Sequence, residues 1–220
     1  MARLVSDRAE KTDSVVVLPS SLEDSQKAPP GTYRVILVST CGSIFAFFAA
    51  LVIAYYWRSK TPPFWDPIPL PNALWVSTAL ILASSVTFET ARRVFRKGEY
   101  RLASRFLVAT GCLGAAFLAS QLTAWRELVA TGAFLAQNPH SSCFYLFTGL
   151  HALHLVGGVV ALLVVMFRQA PRRELVDVVT YYWHFLGVLW IALFSVLRQR
   201  SNRRDSICGV GAFQLLHEVT

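Results

Sequence analysis

The chain has 220 residues, of which 54% are hydrophobic and only 15% charged, with a formal charge of +8. A mean hydropathy of +0.45 excludes an ordinary soluble domain and points to a polytopic membrane protein. The basic residues fall between apolar runs, so the excess charge reads as membrane orientation, and no nucleic-acid partner is expected.

Residues 1–33 are polar and of mixed charge, ending in Pro29, Pro30 and Gly31. The VVVL at 15–18 is too short for a signal-peptide core, and the segment reads as a tail without a packed core. Five apolar runs follow, at about 35–57, 73–95, 106–125, 141–167 and 178–197. The first and third carry no charge, and Glu89 interrupts the second. The fourth contains no Asp, Glu, Lys or Arg and only the two histidines His151 and His154, and the fifth only His184. A helix crosses the hydrocarbon core with roughly 20 apolar residues. Membrane strands would show alternation, and none is present. The expected fold is an all-α membrane protein, with five transmembrane helices in a bundle over 34–198 and a C-terminal tail over 199–220. Tyr55, Tyr56, Trp57, Trp75, Trp125 and Tyr181 lie near run ends, as interfacial anchors do. Cys41, Cys112, Cys143 and Cys208 form no CxxC pair and read as small packing residues.

Loop charge gives an orientation. The loop at 92–105 carries six positive charges and the loop at 168–173 three, against two at 58–72 and one at 126–140. The positive-inside rule places the second and fourth loops on the cytoplasmic or matrix side, with the N-terminus inside and the C-terminus outside. Four arginines at 198–204 argue the other way. The two short internal loops agree with each other and outweigh the tail.

The membrane-embedded polar groups are the candidate site: Glu89, Gln121, Glu127, His151, His154 and His184. His151 and His154, at i and i+3, share a helix face. Gly149, Gly157 and Gly158 allow a neighbouring helix to come close to it. Polar groups in a membrane core need partners, so interhelical hydrogen bonds or lipid headgroups are expected around both imidazoles. Haem ligation is the competing reading. A haem held between two helices requires histidines at matching depth. At roughly 1.5 Å per residue from the inner helix ends, His154 lies about 20 Å deep and His184 about 9 Å. No Cys, Met or carboxylate completes a metal shell, so no metal site is expected. Glu89 has Arg92 and Arg93 at i+3 and i+4, the spacing of a helix-end ion pair; the sharper alternative is an acid lining a proton or lipid site. Glu127 follows Arg126 at an expected interface. Nucleotide motifs and a Ser/His/Asp set are missing, and no catalytic residue is assigned.

Three stretches carry a resemblance. FYLFTGLHALHLVGG (144–158) resembles a T-G-x-H-x-x-H signature, TYYWHFLGVLWIALF (180–194) a last-helix Y-W-H-F signature, and LASSVTFETARRVFRKG (82–98) a helix ending at a small cytoplasmic turn. Over 33–197 the chain resembles subunit III of the haem-copper terminal oxidases, which take electrons from cytochrome c or quinol, in its short five-helix form. The resemblance implies a V-shaped bundle with a lipid cleft and a non-catalytic role. That role is to stabilise the catalytic subunit, bind phospholipid, support proton uptake and protect against turnover inactivation. Haem and copper would reside in partner subunits I and II, with none in this chain. Membrane lipids are further partners, and a respiratory supercomplex is among the assemblies it allows. The resemblance places the chain in the bacterial cytoplasmic membrane, as a subunit of an oxidoreductase complex with no catalytic site of its own. His151 and His154 would contact lipid, with Trp57 and Trp183 flanking headgroups. Thr40 and Gly187 stand where the family usually has a glutamate and an aspartate.

Two other functions compete: a haem-b-binding membrane anchor or electron-transfer subunit, and a transporter. Transporters often show paired repeats and broken helices, which are not apparent here, so the transporter ranks last.

Overall fold

Each apolar run forms one helix, because a backbone in lipid must bond its own amides and carbonyls. The structure, a computed structural model, describes residues 31–58, 60, 72–130, 139–168 and 172–218, with side chains up to 199 except at 139 and 140. The expected N-terminal tail therefore lies almost wholly outside the described residues. The helices are α1 (Thr32–Arg58), α2 (Ala73–Arg96), α3 (Tyr100–Ala130), α4 (Pro139–Phe167) and α5 (Arg173–Glu218). All five are long and apolar enough to cross a membrane; in α5 the spanning part is Arg173–Gln199. The sequence reading ends the fifth run near residue 197, but α5 continues as helix to Glu218. Apolarity marks where the bilayer ends, not where the backbone stops winding.

Helices α2 and α3 form the closest pair in the bundle. The buried residues of α2 are Leu74, Ser77, Ile81, Ser84, Phe88, Ala91 and Phe95. They recur at alternating steps of three and four, the spacing of a coiled-coil seam. Helix α3 answers with Ala103, Leu107, Thr110, Gly114, Phe117, Gln121, Ala124 and Leu128. Their reversal is made by Gly98, at φ 87. The amide of Gly98 donates to Phe95 O at 3.0 Å and that of Glu99 to Val94 O at 3.3 Å. This double closure of a helix C-terminus uses a left-handed residue that glycine adopts without a Cβ penalty.

Helix α5 packs against α2 and α4, and α4 against α3. Helix α1 reaches the others through long side chains: Phe48 meets His154, Tyr55 meets Phe147, and the Tyr56 hydroxyl donates to Gln199 Oε1 at 3.0 Å. Tyr55 is expected at the interface from its place near a run end, but only 1% of it is exposed. It faces α4, and facing is decided by the neighbour rather than by depth. Trp57 and Trp75 are exposed, and Arg198 lies 4.6 Å above the Trp75 ring. Cys112 is exposed on α3, so it is not the packing residue the sequence suggests.

Candidate functional site

Two groups of polar side chains occupy the bundle. The first begins with α2, whose last turns carry Glu89, Arg92, Arg93 and Arg96 on the side facing α5. Arg92 forks onto the Glu89 carboxylate, with Nη2 to Oε1 at 2.7 Å and Nε to Oε2 at 2.8 Å. Arg93 Nε donates to the same Oε1 at 2.8 Å. The spacing of i+3 and i+4 thus becomes a two-arginine clasp on one acid. Asp177, in the second turn of α5, accepts from Arg96 Nη2 at 2.7 Å and Arg92 Nη1 at 3.4 Å. Arg92 also lies 5.6 Å over the Tyr181 ring. His184 Nε2 stands 3.8 Å from Glu89 Oε2, too far for a hydrogen bond. Both oxygens of Glu89 are held by guanidinium groups. The arrangement acts as an electrostatic tie between α2 and α5, and the carboxylate has little capacity left for another donor.

The second group is a ladder of hydroxyls and indoles across the helices. Trp183 Nε1 donates to Ser84 Oγ at 3.0 Å and Trp190 Nε1 to Thr78 Oγ1 at 3.1 Å, joining α5 to α2. Trp125 Nε1 donates to Thr148 Oγ1 at 3.0 Å, joining α3 to α4. Between α2 and α3, Thr87 and Thr110 lie 2.9 Å apart and Ser77 and Ser120 2.7 Å apart. Gln121 Nε2 donates to Ser77 Oγ at 2.7 Å. An indole N–H in a dry core needs an acceptor, and a small hydroxyl supplies one without holding the helices apart. Trp183 is fully buried, so it cannot flank headgroups as the sequence reading has it. Of this ladder sequence reasoning named only Gln121, and it missed Asp177. The signal for Asp177 was available: it is an acid at the start of the fifth run, on the membrane side that carries the arginine-rich second loop.

The three membrane histidines occupy three separate environments. His151 is 0% exposed and lies among Phe117, at 5.9 Å between ring centroids, and Trp190, at 5.2 Å. Neither of its ring nitrogens has a protein partner. His154 places Nδ1 2.7 Å from Leu150 O, and its own carbonyl accepts from the Tyr182 hydroxyl at 3.2 Å. His184 belongs to the charged group. Among the described residues no three His, Cys, Asp or Glu side chains converge as a metal shell. Glu127 is exposed on α3 and Thr40 on α1. Gly187 is buried where α5 meets α2: an added Cβ would lie 3.3 Å from Ser85 Oγ. A side chain at that position would press on the Ser85 hydroxyl, which would have to give way.

Individual rungs of the ladder contribute little. Interhelical hydrogen bonds in membranes average about 0.6 kcal/mol, because the separated helices find other partners. Ser84→Ala should therefore lower the melting temperature of the detergent-solubilised assembly by only about 2 °C. Differential scanning fluorimetry reads this directly, and a drop several times larger would mean that the Ser84–Trp183 bond anchors the bundle.

The family model for cytochrome c oxidase subunit III matches residues 33–200. A Mycobacterium tuberculosis protein named probable cytochrome c oxidase subunit 3 is 31% identical over 178 residues, covering 76% of this chain and 88% of that protein. Subunit 3 of the cytochrome bo(3) ubiquinol oxidase of Pseudomonas aeruginosa is 29% identical over 167 residues, covering 73% and 79% respectively. The matched region begins with α1 and closes at the end of the spanning part of α5, so it takes in the whole five-helix bundle and both polar groups. The chain is an integral membrane protein of the cytochrome c oxidase subunit III family, and as such part of an oxidase complex.

Proposed function

We propose that this chain is the non-catalytic third subunit of a haem-copper terminal oxidase, packed against catalytic subunit I beside subunit II. The observation that carries this reading is a family match spanning all five membrane helices. Haem and copper belong to the partner subunits. The separate surroundings of His151, beside Phe117 and Trp190, of His154, beside Phe48, and of His184, beside Glu89, support that assignment over a haem-b anchor, which needs a facing pair of imidazoles. The subunit stabilises the catalytic subunit, holds phospholipid in a cleft of the assembly and supports proton uptake. It sits in the bacterial cytoplasmic membrane. Loop charge supports an N-terminus inside and a C-terminus outside, which puts the Glu89–Arg92–Asp177 tie near the inner surface, where proton uptake begins.

Affinity purification from the native membrane should recover the oxidase catalytic subunit in stoichiometric amount. The separated chain should show no haem absorbance. His151→Gln, His154→Gln and His184→Gln should each leave the haem and copper content of the complex unchanged. Loss of one haem on any of these substitutions would transfer the cofactor to this chain and defeat the reading.

A further inference from the structure

Gln121 and His151 leave hydrogen-bonding capacity unused inside the bundle. Gln121 on α3 is 2% exposed and His151 on α4 is 0% exposed. Gln121 Oε1 and both ring nitrogens of His151 have no hydrogen-bond partner among the described residues. The register of the two helices puts these atoms at one depth. Trp125 bonds Thr148, and Cβ atoms added at Gly114 and Gly111 would meet Val159 and Leu162. Each step forward along α3 is thus one step back along α4, which sets Gln121 opposite Ala152, the neighbour of His151. Phe117, one turn from Gln121 on the same face of α3, packs edge to face on the His151 ring.

The surrounding side chains offer these atoms no complement. Gln121 Oε1 can only accept, and a neutral imidazole carries one N–H donor and one bare acceptor nitrogen. The polar groups at this level are already engaged. Trp190, whose ring lies 5.2 Å from His151, donates its Nε1 hydrogen to Thr78. Ser77 Oγ bonds Ala73 O and Ser120 Oγ and accepts from Gln121 Nε2. Thr148 Oγ1 donates to Phe144 O and accepts from Trp125. A lipid headgroup or a side chain of another subunit cannot reach a residue with no exposed surface. We infer that an internal water molecule bridges His151 and Gln121, accepting the imidazole N–H and donating to Gln121 Oε1. Water is the smallest molecule with both capacities, and a space of about one water-sized sphere with two to four polar partners holds it. Leaving such groups unpaired in a medium of low dielectric costs more than immobilising one water. The bridge ties α3 to α4 one turn from the Trp125–Thr148 bond and holds the imidazole in one orientation against Phe117 and Trp190.

The test is a cryo-electron microscopy map of the complete oxidase complex, at a resolution that shows ordered water. Wild type should show a compact peak about 3 Å from both Gln121 Oε1 and a ring nitrogen of His151. The peak should be lost in Gln121→Met, which keeps the volume and removes the acceptor, and in His151→Leu. Unchanged haem content verifies assembly of each variant. A thermal cycle gives a readout independent of density. Each single variant should lower the temperature at which the complex sheds this chain. The double variant should lose clearly less than the two drops added together, because neither polar group is then left without its partner. Additive drops overturn the proposal. No peak in wild type, or the Gln121 amide in direct contact with the imidazole, overturns it as well. A peak that survives either substitution shows a water held by other groups and ends the assignment to this pair.

Discussion

Replacing Trp183 by alanine is expected to lower the temperature at which the solubilised complex sheds this chain by on the order of 10 °C. The indole is 0% exposed. It packs edge to face on Phe88 at 5.7 Å and fits against glycines on two other helices. A Cβ added at Gly114 would lie 2.9 Å from Trp183 Cη2, and one added at Gly158 would lie 3.4 Å from its Cε3. One side chain of α5 thus touches α2, α3 and α4 together. Tryptophan-to-alanine substitutions in packed cores cost about 3–5 kcal/mol, and each kcal/mol moves a melting temperature by roughly 2–4 °C at this chain length. Removal of the Ser84 hydrogen bond alone accounts for only about 0.6 kcal/mol of that, so packing dominates. The geometry also makes a second, sharper claim. Gly114→Ala should destabilise the wild-type background strongly, because the new methyl meets the far edge of the indole. In a Trp183→Phe background, where that edge is missing, the same substitution should be much milder. A cycle in which the two effects simply add would show that Gly114 and Trp183 do not share this contact.

The contrast between Trp183 and the spans shows what the sequence discloses. Length and apolarity locate five membrane helices, because a bilayer imposes both on any chain that crosses it. They do not say which face of a helix meets protein, because lipid is as apolar as a core and the usual polar face is missing. Tyr55 and Trp183 therefore read as interfacial residues when their surroundings are hidden, and both turn out to be buried. Cys112 errs in the opposite direction. The seam of α2 was legible in principle: Ser77, Ser84 and Ala91 recur every seven residues among larger side chains, a pattern of small groups where helices approach. The clasp of Glu89 by Arg92 and Arg93 follows from local spacing. Its extension to Asp177 joins residues 85 apart in sequence, and only the packing of α5 on α2 brings them together.

Glu89→Leu should be the most damaging single change in the charged group. Side-chain exposure is 23% for Glu89 and 15% for Arg92, so the arginine cannot simply turn into water when its partner is removed. Breaking a buried ion pair from one side costs about 3–5 kcal/mol. Partial solvent access here reduces that to about 2 kcal/mol, or about 5 °C in the temperature at which the complex sheds the chain. The double variant Glu89→Leu/Arg92→Leu should regain most of the loss, since no uncompensated guanidinium then stays behind. Asp177→Asn should cost far less, because its shorter contact is to Arg96, which is 50% exposed and can be rehydrated. The ranking follows from exposure rather than from the number of ion pairs. Glu89→Gln separates this structural tie from an acid that carries protons. The amide keeps the shape of the carboxylate but weakens both arginine contacts, so a tie predicts a moderate loss of thermal stability with turnover preserved per assembled complex. If Glu89→Gln leaves the complex as stable as wild type and slows oxygen reduction instead, Glu89 acts in proton delivery, and its two arginines serve to hold it in place.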